Sequence, residues 1–237
     1  MPSIIHEVSG PYKKATFGMG CFWANDCLFG AQPGVLRTRV GYSGGTTMDP
    51  VYRSIDKEAG TSSDNNTKPT NRDRGDHTEV VDIDYDPKVI SYEDLLQMFW
   101  NNHEYGLTTI IKKQYMSLIL YHDEDQKRIA EISFKKQENK TKEKLITVIA
   151  PAGPMYPAED YHQKYRLQGH PSLCKDIGLT PELLQSSHIA AKLNGYVAGL
   201  GTIEDLEKIA AKYNLTEKIT SYVRQQMKEN EGGSLFC

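Results

Sequence analysis

Two stretches in the first half of the chain alternate between apolar and polar residues, at positions 35–42 and 79–85. Alternation with a period of two is typical of a β-strand with one buried face, because successive side chains point to opposite sides of the sheet. A shorter stretch at positions 15–17 is followed by Gly18 and Gly20 and predicts another strand. The pattern therefore indicates a sheet whose first strand ends in a tight glycine turn.

Helical spacing follows the first of these strands. Ala24 and Leu28 lie three and seven positions after Cys21, which is the spacing of one helix face. Gly30 and Pro33 then end the segment. These positions predict a helix that begins at Cys21 and connects the first two strands.

A second helix is predicted after Ser91, because a serine followed three residues later by an acidic residue is typical of a helix N-terminus. Asp94 is that acidic residue, and the segment carries four large apolar side chains, Leu95, Leu96, Phe99 and Trp100. A strand of large residues is predicted at positions 115–121. The order up to residue 121 is therefore strand, helix, strand, strand, helix, strand.

This βαββαβ order predicts an α+β fold with a ferredoxin-like plait, a two-layer sandwich of helices on a sheet. Further along, the pattern predicts a helix capped by Asp123, a strand at positions 145–150 and a helix whose first turn holds Pro157. Residues 202–230 have helical spacing and predict two more helices, before a glycine-containing arm that ends in Cys237.

One segment interrupts the plait pattern. Residues 58–76 are rich in Ser, Thr, Asn, Asp and Arg, so they have little to bury and are predicted to form a mobile polar surface loop. We divide the chain into a domain over residues 1–200, which contains this insertion, and a helical tail over residues 201–237.

Composition narrows the class of protein. The chain has 237 residues, of which 25% are charged and 38% hydrophobic, and a formal net charge of -3. These values are typical of a globular protein and give no basic segment for a nucleic acid. No apolar run approaches the ~18 residues of a membrane helix, and no charged and then apolar leader is present. We expect a cytoplasmic monomer, with the nucleus left open, that binds neither nucleic acid nor membrane.

The four cysteines, Cys21, Cys27, Cys174 and Cys237, are too few and too scattered for a disulfide scaffold or a CxxC motif. Cys21 stands where a glycine turn meets a predicted helix start. Unpaired N–H groups and the helix dipole stabilise a thiolate there, which lowers the pKa of the thiol below the free value of ~8.5. Cys21 is therefore either a nucleophile or a small core residue, and its placement alone leaves both open.

Other side chains also allow two interpretations. Phe22 and Trp23 are either core residues or an apolar wall beside a reactive thiol. Glu79 opens a strand and is ordinarily a solvated charge, but burial would raise its pKa and make it a proton donor. The histidines form no metal-ligand pattern, so we predict a packing or supporting role for His162.

Several sequence blocks together resemble one family. Gly20-Cys21-Phe22-Trp23 is similar to the signature of the A-type peptide methionine sulfoxide reductases. Further blocks follow in the family's order over roughly residues 12–168, namely VGYSGG at 40–45, DPVY at 49–52, HTEVV at 77–81, QY at 114–115, YHDE at 121–124 and AEDYHQ at 158–163. One block alone would be a weak signal, whereas this many in order are specific.

The resemblance implies an oxidoreductase that converts methionine S-sulfoxide, in oxidised proteins or as the free amino acid, to methionine. It implies that the Cys21 thiolate attacks the sulfoxide sulfur and that Glu79 protonates the leaving oxygen. Tyr52 and Tyr115 match the tyrosines that hydrogen-bond this oxygen. Residues 1–200 would then be the catalytic domain.

The resemblance also implies the rest of the cycle. Phe22 and Trp23 match the pocket that receives the substrate methyl group. The nucleophile becomes a sulfenic acid, a second thiol condenses with it to a disulfide, and thioredoxin reduces that disulfide. No metal or organic cofactor takes part.

The second thiol is predicted to be Cys237, because its Gly-Gly-Ser tether leaves it mobile at a high effective concentration. Cys174 is the alternative. Cys27 lies six positions after Cys21 on the same predicted helix, which turns it away from the nucleophile and favours a core position.

Two departures from the family pattern bear on the site. Ile110 stands at the position of the family's active-site aspartate, and Val197 stands where members often carry a resolving cysteine. Because the aspartate is missing and the polar insertion at 58–76 flanks Glu79, the main alternative is a protein that binds oxidised methionine in the same aromatic pocket without turnover. A thiol oxidoreductase acting on disulfides is a third, which the absence of a CxxC motif disfavours.

Overall fold

The computed structural model describes residues 4–55, 76–103, 105, 112–141 and 144–233. The loop predicted at 58–76 lies outside the described residues except for Asp76, and so do Ile110 and Cys237. Within the described part of the chain, no helix combines the length and the apolar character that crossing a membrane requires.

A mixed sheet forms the centre of this α+β fold. Its strands are β1 (Lys13–Met19), β2 (Val35–Ser43), β3 (Thr78–Tyr85), β4 (Ser117–Tyr121), β5 (Val148–Pro151) and β6 (Tyr156–Pro157). Their order across the sheet is β5-β4-β1-β3-β2-β6. β3 lies between β1 and β2, and β4 pairs with β1, all antiparallel, whereas β5 pairs with β4 in parallel. The strands expected from the first half of the chain therefore occupy the middle of the sheet.

Helices connect and cover these strands. In the described residues they are α1 (Phe22–Gly30), α2 (Tyr52–Ile55), α3 (Tyr92–Asn101), α4 (Glu124–Thr141), α5 (Tyr165–Gln168), α6 (Pro171–Asp176), α7 (His188–Tyr196), α8 (Ile203–Tyr213) and α9 (Glu217–Asn230). Ser91 and Asp94 form the capping box at the start of α3, as the sequence predicts. The short α2 and the buried α7 were not predicted.

The main core lies between one face of the sheet and helices α1, α3 and α4. Its buried side chains include Phe17, Phe29, Val81, Ile83, Leu95, Leu96, Phe99 and Ile119. Burying a side chain of this size stabilises the fold by about 1.5–3 kcal/mol. The alternation along β3 sends Val81 and Ile83 into this core, while Asp82 and Asp84 face the other side of the sheet and form ion pairs with Lys14.

The tail helices pack on the rest of the protein through a second core. That core joins Ala31 and Leu167 to buried residues of α7, α8 and α9, among them Leu193, Leu206, Val223 and Met227. Gly195 allows the close approach of α7 to α1, because a Cβ atom there would lie 2.5 Å from the carbonyl oxygen of Cys27. The end of α1 is therefore held in place by α7.

Three local predictions are wrong. Pro157 does not open a helix but lies in β6, and a 3-10 turn (Asp160–His162) follows it. Lys164 interrupts the helical path after that turn, because its φ is 52°. Tyr115 lies in a 3-10 turn (Lys113–Tyr115) and not in β4. Cys174 lies in α6 and not in a loop.

A buried ion pair explains the unusual backbone at Lys164. Its Nζ lies 3.1 Å from Asp26 Oδ1 and donates to the carbonyl oxygen of Thr38 at 2.6 Å. Its backbone N–H also donates to Asp26 Oδ2 at 3.0 Å. The Lys164 and Asp26 side chains are 0% and 1% exposed. This pair ties the segment after β6 to α1.

We expect Lys164→Met to lower the free energy of unfolding by about 3–5 kcal/mol, because it leaves the Asp26 carboxylate buried without its cation. Chemical denaturation at neutral pH measures this loss. Lys208→Met is the matched control, because it removes an exposed pair with Glu204 (2.8 Å) by the same substitution and should change stability little. Equal losses in the two variants would contradict the expectation.

Candidate active site

Cys21 lies where β1 turns into α1. Gly20 makes this turn with a φ of 76°, a left-handed conformation that glycine adopts without steric cost. Cys21 is the N-cap residue of α1, so the positive end of the helix dipole and its unpaired N–H groups lie at this residue. Cys21 takes part in a disulfide in this structure. The helix predicted to begin at Cys21 is confirmed.

Two of the other cysteines are free thiols. Cys27 is 1% exposed and accepts a hydrogen bond from Asn194 Nδ2 at 3.3 Å, and burial raises the pKa of its thiol. Cys174 donates its S–H to the carbonyl oxygen of Leu167 at 3.2 Å, and burial raises its pKa as well. Both are therefore protonated, which is the less reactive form. The core position predicted for Cys27 is confirmed.

Glu79 is buried beside the start of α1. It lies near the beginning of β3 and is 1% exposed. Its Oε1 accepts from Gln114 Nε2 at 2.7 Å, and its Oε2 accepts from the backbone N–H of Phe22 at 3.1 Å. Burial raises the pKa of Glu79 to about 7, although both hydrogen bonds favour the ionised form. Glu79 therefore keeps a proton to higher pH than a solvated glutamate, and it does so in contact with the residue that follows Cys21.

The turn that carries Tyr115 is held against the same strand. Thr78 Oγ1 donates to the carbonyl oxygen of Lys113 at 2.9 Å, and Gln114 donates to Glu79. Tyr115 thus follows directly the residue that contacts the carboxyl group. The contact between Gln114 and Glu79 was not predicted from the sequence. The feature that could have indicated it is that Gln114 belongs to the same sequence block as Tyr115.

Tyr52 begins α2 on another side of the site. Its backbone N–H donates to Glu159 Oε1 at 3.0 Å, and the hydroxyl of Tyr42 donates to Glu159 Oε2 at 2.8 Å. The Tyr52 ring lies 4.6 Å from the ring of His162, measured between centroids. Tyr52 also packs against the small apolar cluster that contains Phe22. Glu159 therefore fixes the start of α2 next to α1.

Phe22 and Trp23 have different environments. Phe22 is 1% exposed, and its ring centroid lies 5.1 Å from that of His162. Trp23 is only partly buried, and its ring stacks on Tyr165 at a centroid distance of 3.7 Å and an interplanar angle of 2°. The indole N–H of Trp23 donates to His162 Nδ1 at 3.0 Å. Sequence reasoning missed the stacking role of Tyr165, although it lies just after the 158–163 block.

The assembled site joins a cysteine at a helix N-terminus, a buried carboxyl group whose pKa is raised by burial, and an apolar surface. The structure brings together five of the predicted site residues, Cys21, Phe22, Trp23, Glu79 and Tyr52. Tyr115 follows Gln114, the residue that contacts Glu79. Such a site can attack an electrophilic atom and protonate the group that leaves it. Among the described residues, no group of three or more His, Cys, Asp and Glu side chains could hold a metal ion.

A family model described as peptide methionine sulfoxide reductase matches residues 13–192, which is most of the chain. The chain belongs to the peptide methionine sulfoxide reductase family. Membership makes it a thiol-dependent oxidoreductase that reduces methionine sulfoxide. Such a reaction needs a thiol nucleophile and a proton donor, and a cysteine at a helix N-terminus and a buried carboxyl group are residues of those two kinds.

Three relatives illustrate the similarity to the reductase family. A peptide methionine sulfoxide reductase of Drosophila melanogaster is 50% identical over 236 residues, which cover 99% of this chain and 88% of the relative. Peptide methionine sulfoxide reductase A5 of Oryza sativa is 37% identical over 84% of this chain and 74% of its own length. MsrA of Methanococcus maripaludis is 41% identical over 65% of this chain and 90% of its own length.

Solved reductase structures share the fold. Methionine sulfoxide reductase A of Corynebacterium diphtheriae superposes with a TM-score of 0.53 at 27% identity, covering 72% of this chain and 82% of that one. The reduced form of Mxr1 from Saccharomyces cerevisiae gives a TM-score of 0.51 at 24% identity, covering 71% of this chain and 92% of that one. The second likeness concerns the fold alone.

Proposed function

We propose that this chain reduces the S epimer of methionine sulfoxide, in oxidised proteins and as the free amino acid, with Cys21 as nucleophile and Glu79 as proton donor. The observation that carries the proposal is the buried Glu79 carboxyl, which accepts the N–H of Phe22 at 3.1 Å and whose pKa is raised to about 7. A proton donor at neutral pH is thereby held beside the residue that follows the nucleophile.

The reaction balances with these groups alone. The Cys21 thiolate forms a bond to the sulfoxide sulfur while the oxygen receives the proton of Glu79. The protonated oxygen then moves to Cys21 Sγ: the sulfur–oxygen bond of the substrate and the bond between Cys21 and the substrate sulfur both break, and an electron pair stays on the substrate sulfur. Methionine therefore leaves reduced and the cysteine becomes a sulfenic acid. A second thiol then displaces water and forms a disulfide, which an external dithiol reduces.

The remaining residues serve substrate binding. Phe22 and Trp23 supply the apolar wall for the methyl group, and the partial exposure of Trp23 leaves part of that wall open. Tyr52 and Tyr115 donate hydrogen bonds to the oxygen as its negative charge develops. Support comes from their positions, because Tyr52 packs against the Phe22 cluster and Tyr115 follows the residue that contacts Glu79.

Cys237 is the thiol we assign to the second step. Cys21 takes part in a disulfide, whereas Cys27 and Cys174 are free. The chain has four cysteines, so Cys237 is the thiol left for the second step once Cys27 and Cys174 are set aside. This disfavours Cys174, the alternative from the sequence.

The path of the tail also supports Cys237. Asn230, the last residue of α9, donates its side-chain N–H to the carbonyl oxygen of Val197 at 2.9 Å. Val197 is the position where, by resemblance, family members often carry a resolving cysteine. One groove is lined by Gly233 and by Tyr165, whose ring stacks on Trp23. Cys237 lies four positions after Gly233, which is a reach of up to about 14 Å.

We expect Cys237→Ser to keep one burst of methionine per enzyme but to lose steady-state turnover with thioredoxin by at least ~10-fold, because the sulfenic acid then has no partner thiol. Burst size and steady-state rate separate the two steps. After one turnover without reductant, peptide mapping of the unsubstituted protein should find a Cys21–Cys237 disulfide. A Cys21–Cys174 disulfide, or normal cycling of Cys237→Ser, would remove Cys237 from the mechanism.

We further propose the finer classification of the fold and its division. The order β4-β1-β3-β2 in the middle of the sheet, with antiparallel neighbours, supports a ferredoxin-like plait. The family match ends at residue 192. This supports a division into a catalytic domain over residues 1–200 and a tail over residues 201–237.

The partners and setting are part of the same proposal. Thioredoxin is the reductant, the protein works as a monomer, and it resides in the cytoplasm or the nucleus. Sedimentation at micromolar concentration tests the monomer, and imaging of the tagged protein tests the compartment.

Release of methionine decides between the proposed activity and its rivals. The purified protein is given the S and the R epimers of methionine sulfoxide, first with dithiothreitol and then with thioredoxin and its reductase. Methionine from the S epimer with both reductants is expected. Binding without release would favour the non-catalytic binder, and reduction of a disulfide substrate alone would favour a thiol–disulfide oxidoreductase.

A further inference from the structure

Two adjoining grooves lie between α9 and residues 161–176. The first has a volume of about 620 Å³ and is lined by Tyr165 and by Asn230, the last residue of α9. The second has a volume of about 410 Å³ and reaches Lys218 near the start of α9, and both grooves are lined by His170. Lys218 and Asn230 are 12 positions apart, which is about 18 Å along a helix. An extended polypeptide of about five residues spans the same length.

The two sides of these grooves are joined by polar contacts. His170, the N-cap residue of α6, forms a hydrogen bond at 2.7 Å between its Nδ1 and the hydroxyl of Tyr222 on α9. At the far end, Lys218 of α9 pairs with Asp176 of α6 at 2.6 Å. The opposite side of α9 is anchored in the second core by Val223. The grooves are therefore formed before any ligand binds.

The side chains that line the grooves suit a polypeptide. Tyr161, Tyr165 and Tyr222 line them and are 55%, 42% and 39% exposed. An exposed tyrosine offers an apolar ring together with a hydroxyl, and this residue type is enriched where proteins bind one another. Gln168 and Gln226 also line the first groove, and an amide can both donate and accept the hydrogen bonds of a peptide backbone.

The first groove is continuous with the proposed methionine pocket. The Tyr165 ring lines the groove and stacks on Trp23 at 3.7 Å. An oxidised methionine in contact with Trp23 would therefore place its neighbouring residues at the entrance of this groove. The other wall comes from α9, which lies beyond residue 192, where the family match ends. The tail thus contributes a surface beside the site.

Arg166 gives the first groove a positive charge. Burial lowers the pKa of His170, so Arg166 is the one side chain charged at neutral pH among the described residues that line this groove. None of the ion pairs in the described part of the chain uses Arg166. By contrast, Lys218 in the second groove is paired with Asp176. An acidic side chain is therefore the complement of the first groove.

We propose that these grooves bind the polypeptide that flanks an oxidised methionine, in an extended form and with an acidic residue on Arg166. Arg166 directly follows Tyr165, so this acidic residue lies within about three positions of the methionine. The preferred substrates are then exposed acidic segments of oxidised proteins. This inference rests on the proposed function, because it places the oxidised methionine beside Cys21.

Peptides that differ in charge test the contact with Arg166. Blocked heptapeptides carry methionine S-sulfoxide at the centre and glutamate, glutamine or lysine two positions away on both sides, and dithiothreitol is the reductant. The KM of the unsubstituted enzyme should be about 5- to 10-fold lower for the glutamate peptide than for the lysine peptide. Arg166→Gln should raise KM for the glutamate peptide about 3- to 5-fold, as expected for the loss of an exposed ion pair.

Two controls accompany this variant. Free methionine S-sulfoxide does not reach the groove, so Arg166→Gln should leave its KM and kcat within about 2-fold of the unsubstituted enzyme. Arg128→Gln makes the same substitution at a 64% exposed side chain of α4 and should leave the preference for glutamate intact.

A bulky side chain tests the groove independently of charge. Gln226→Trp places an indole in the first groove from α9, so KM should rise at least ~5-fold for all three peptides and stay unchanged for the free amino acid. Gln97→Trp is the matched control, because it makes the same change at an exposed position of α3. Equal effects of the two substitutions would contradict a role of the groove.

Other occupants of the grooves give different results. An unchanged preference for glutamate in Arg166→Gln would overturn the inference. A higher KM for thioredoxin, with the peptide KM values unchanged, would assign the grooves to the reductant and would overturn it as well. If residues 234–237 filled the first groove and were held by Arg166, Arg166→Gln would release them and lower KM for the glutamine peptide, which also contradicts the proposal.

Binding without turnover separates this inference from the proposed function. Fluorescently labelled heptapeptides are titrated with Cys21→Ser, and anisotropy gives the ratio of Kd values for the lysine and glutamate peptides. If the unsubstituted protein releases no methionine from any substrate, the proposed function fails, while this ratio still tests the groove. Should Arg166→Gln fail to fold, salt decides: the ratio should fall towards 1 between about 0.05 M and about 0.5 M salt, and a ratio that does not change contradicts the inference.

Discussion

Cys21→Ser is expected to remove all measurable release of methionine, a loss of at least ~10³-fold, because a serine hydroxyl stays protonated and does not attack sulfur. The fold should be preserved. Cys21 is the N-cap residue of α1, and serine is among the residues that best accept the N–H groups of a helix start. The thermal midpoint under reducing conditions should therefore stay the same or rise slightly.

The measurement is a single turnover with methionine S-sulfoxide and excess enzyme, quenched and assayed for methionine. Cys174→Ser is the matched control, since it makes the same substitution at a free thiol in α6 that takes no part in the proposed reaction. It should keep the rate of the unsubstituted enzyme with both dithiothreitol and thioredoxin. Turnover by Cys21→Ser above a few per cent would show that another group attacks the sulfoxide.

Glu79→Gln is expected to slow the same single turnover by about 10²–10⁴-fold, because an amide has no proton to give to the leaving oxygen. The amide fills nearly the same space and can still accept the N–H of Phe22, so the geometry of α1 should persist. Glu138→Gln is the control, since it makes the same change on an exposed position of α4 and should have no effect.

The pH dependence of the single-turnover rate tests the same role of Glu79. The pKa of Glu79 is about 7, so the protonated fraction, and with it the single-turnover rate, should fall as pH rises through about 7. Glu79→Gln should lack this alkaline decrease. A Glu79→Gln enzyme with an unchanged rate across the pH range would show that the proton comes from another group.

The free energy of unfolding should also depend on the protonation of Glu79. The folded protein binds it more tightly than the unfolded chain, because the pKa rises from 4.5 to about 7 on folding. The stabilisation is therefore fully present below about pH 4.5, and it is lost as pH rises through about 7, a change of about 3 kcal/mol. Denaturation curves measured over this pH range should show the loss of stability in the unsubstituted protein. The Glu79→Gln variant should not show it, because the amide at position 79 does not titrate.

Local pattern was sufficient for the central elements. The strand at positions 79–85 became β3 because its alternation is a property of neighbouring residues, and α1 begins after Cys21 because Gly20 supplies the turn that a helix start needs there. The family also followed from the sequence, because its motif blocks are short and contiguous. Local pattern failed where a distant partner decides the backbone: no helical path could continue from Pro157 through Lys164, whose left-handed φ accompanies its bonds to Asp26.

The chemistry of the site divides in the same way. From the sequence alone, Glu79 could be a solvated charge or a buried acid, and Trp23 could be a core residue or a wall. Only the tertiary structure decided that Glu79 is buried and that Trp23 is partly exposed. The pKa of Glu79 depends on this burial and on contacts with Phe22 and Gln114, which lie 57 and 35 positions away in the chain. A residue's type and its neighbours determine the element it enters, whereas its pKa depends on the solvent and the partners that folding removes or supplies.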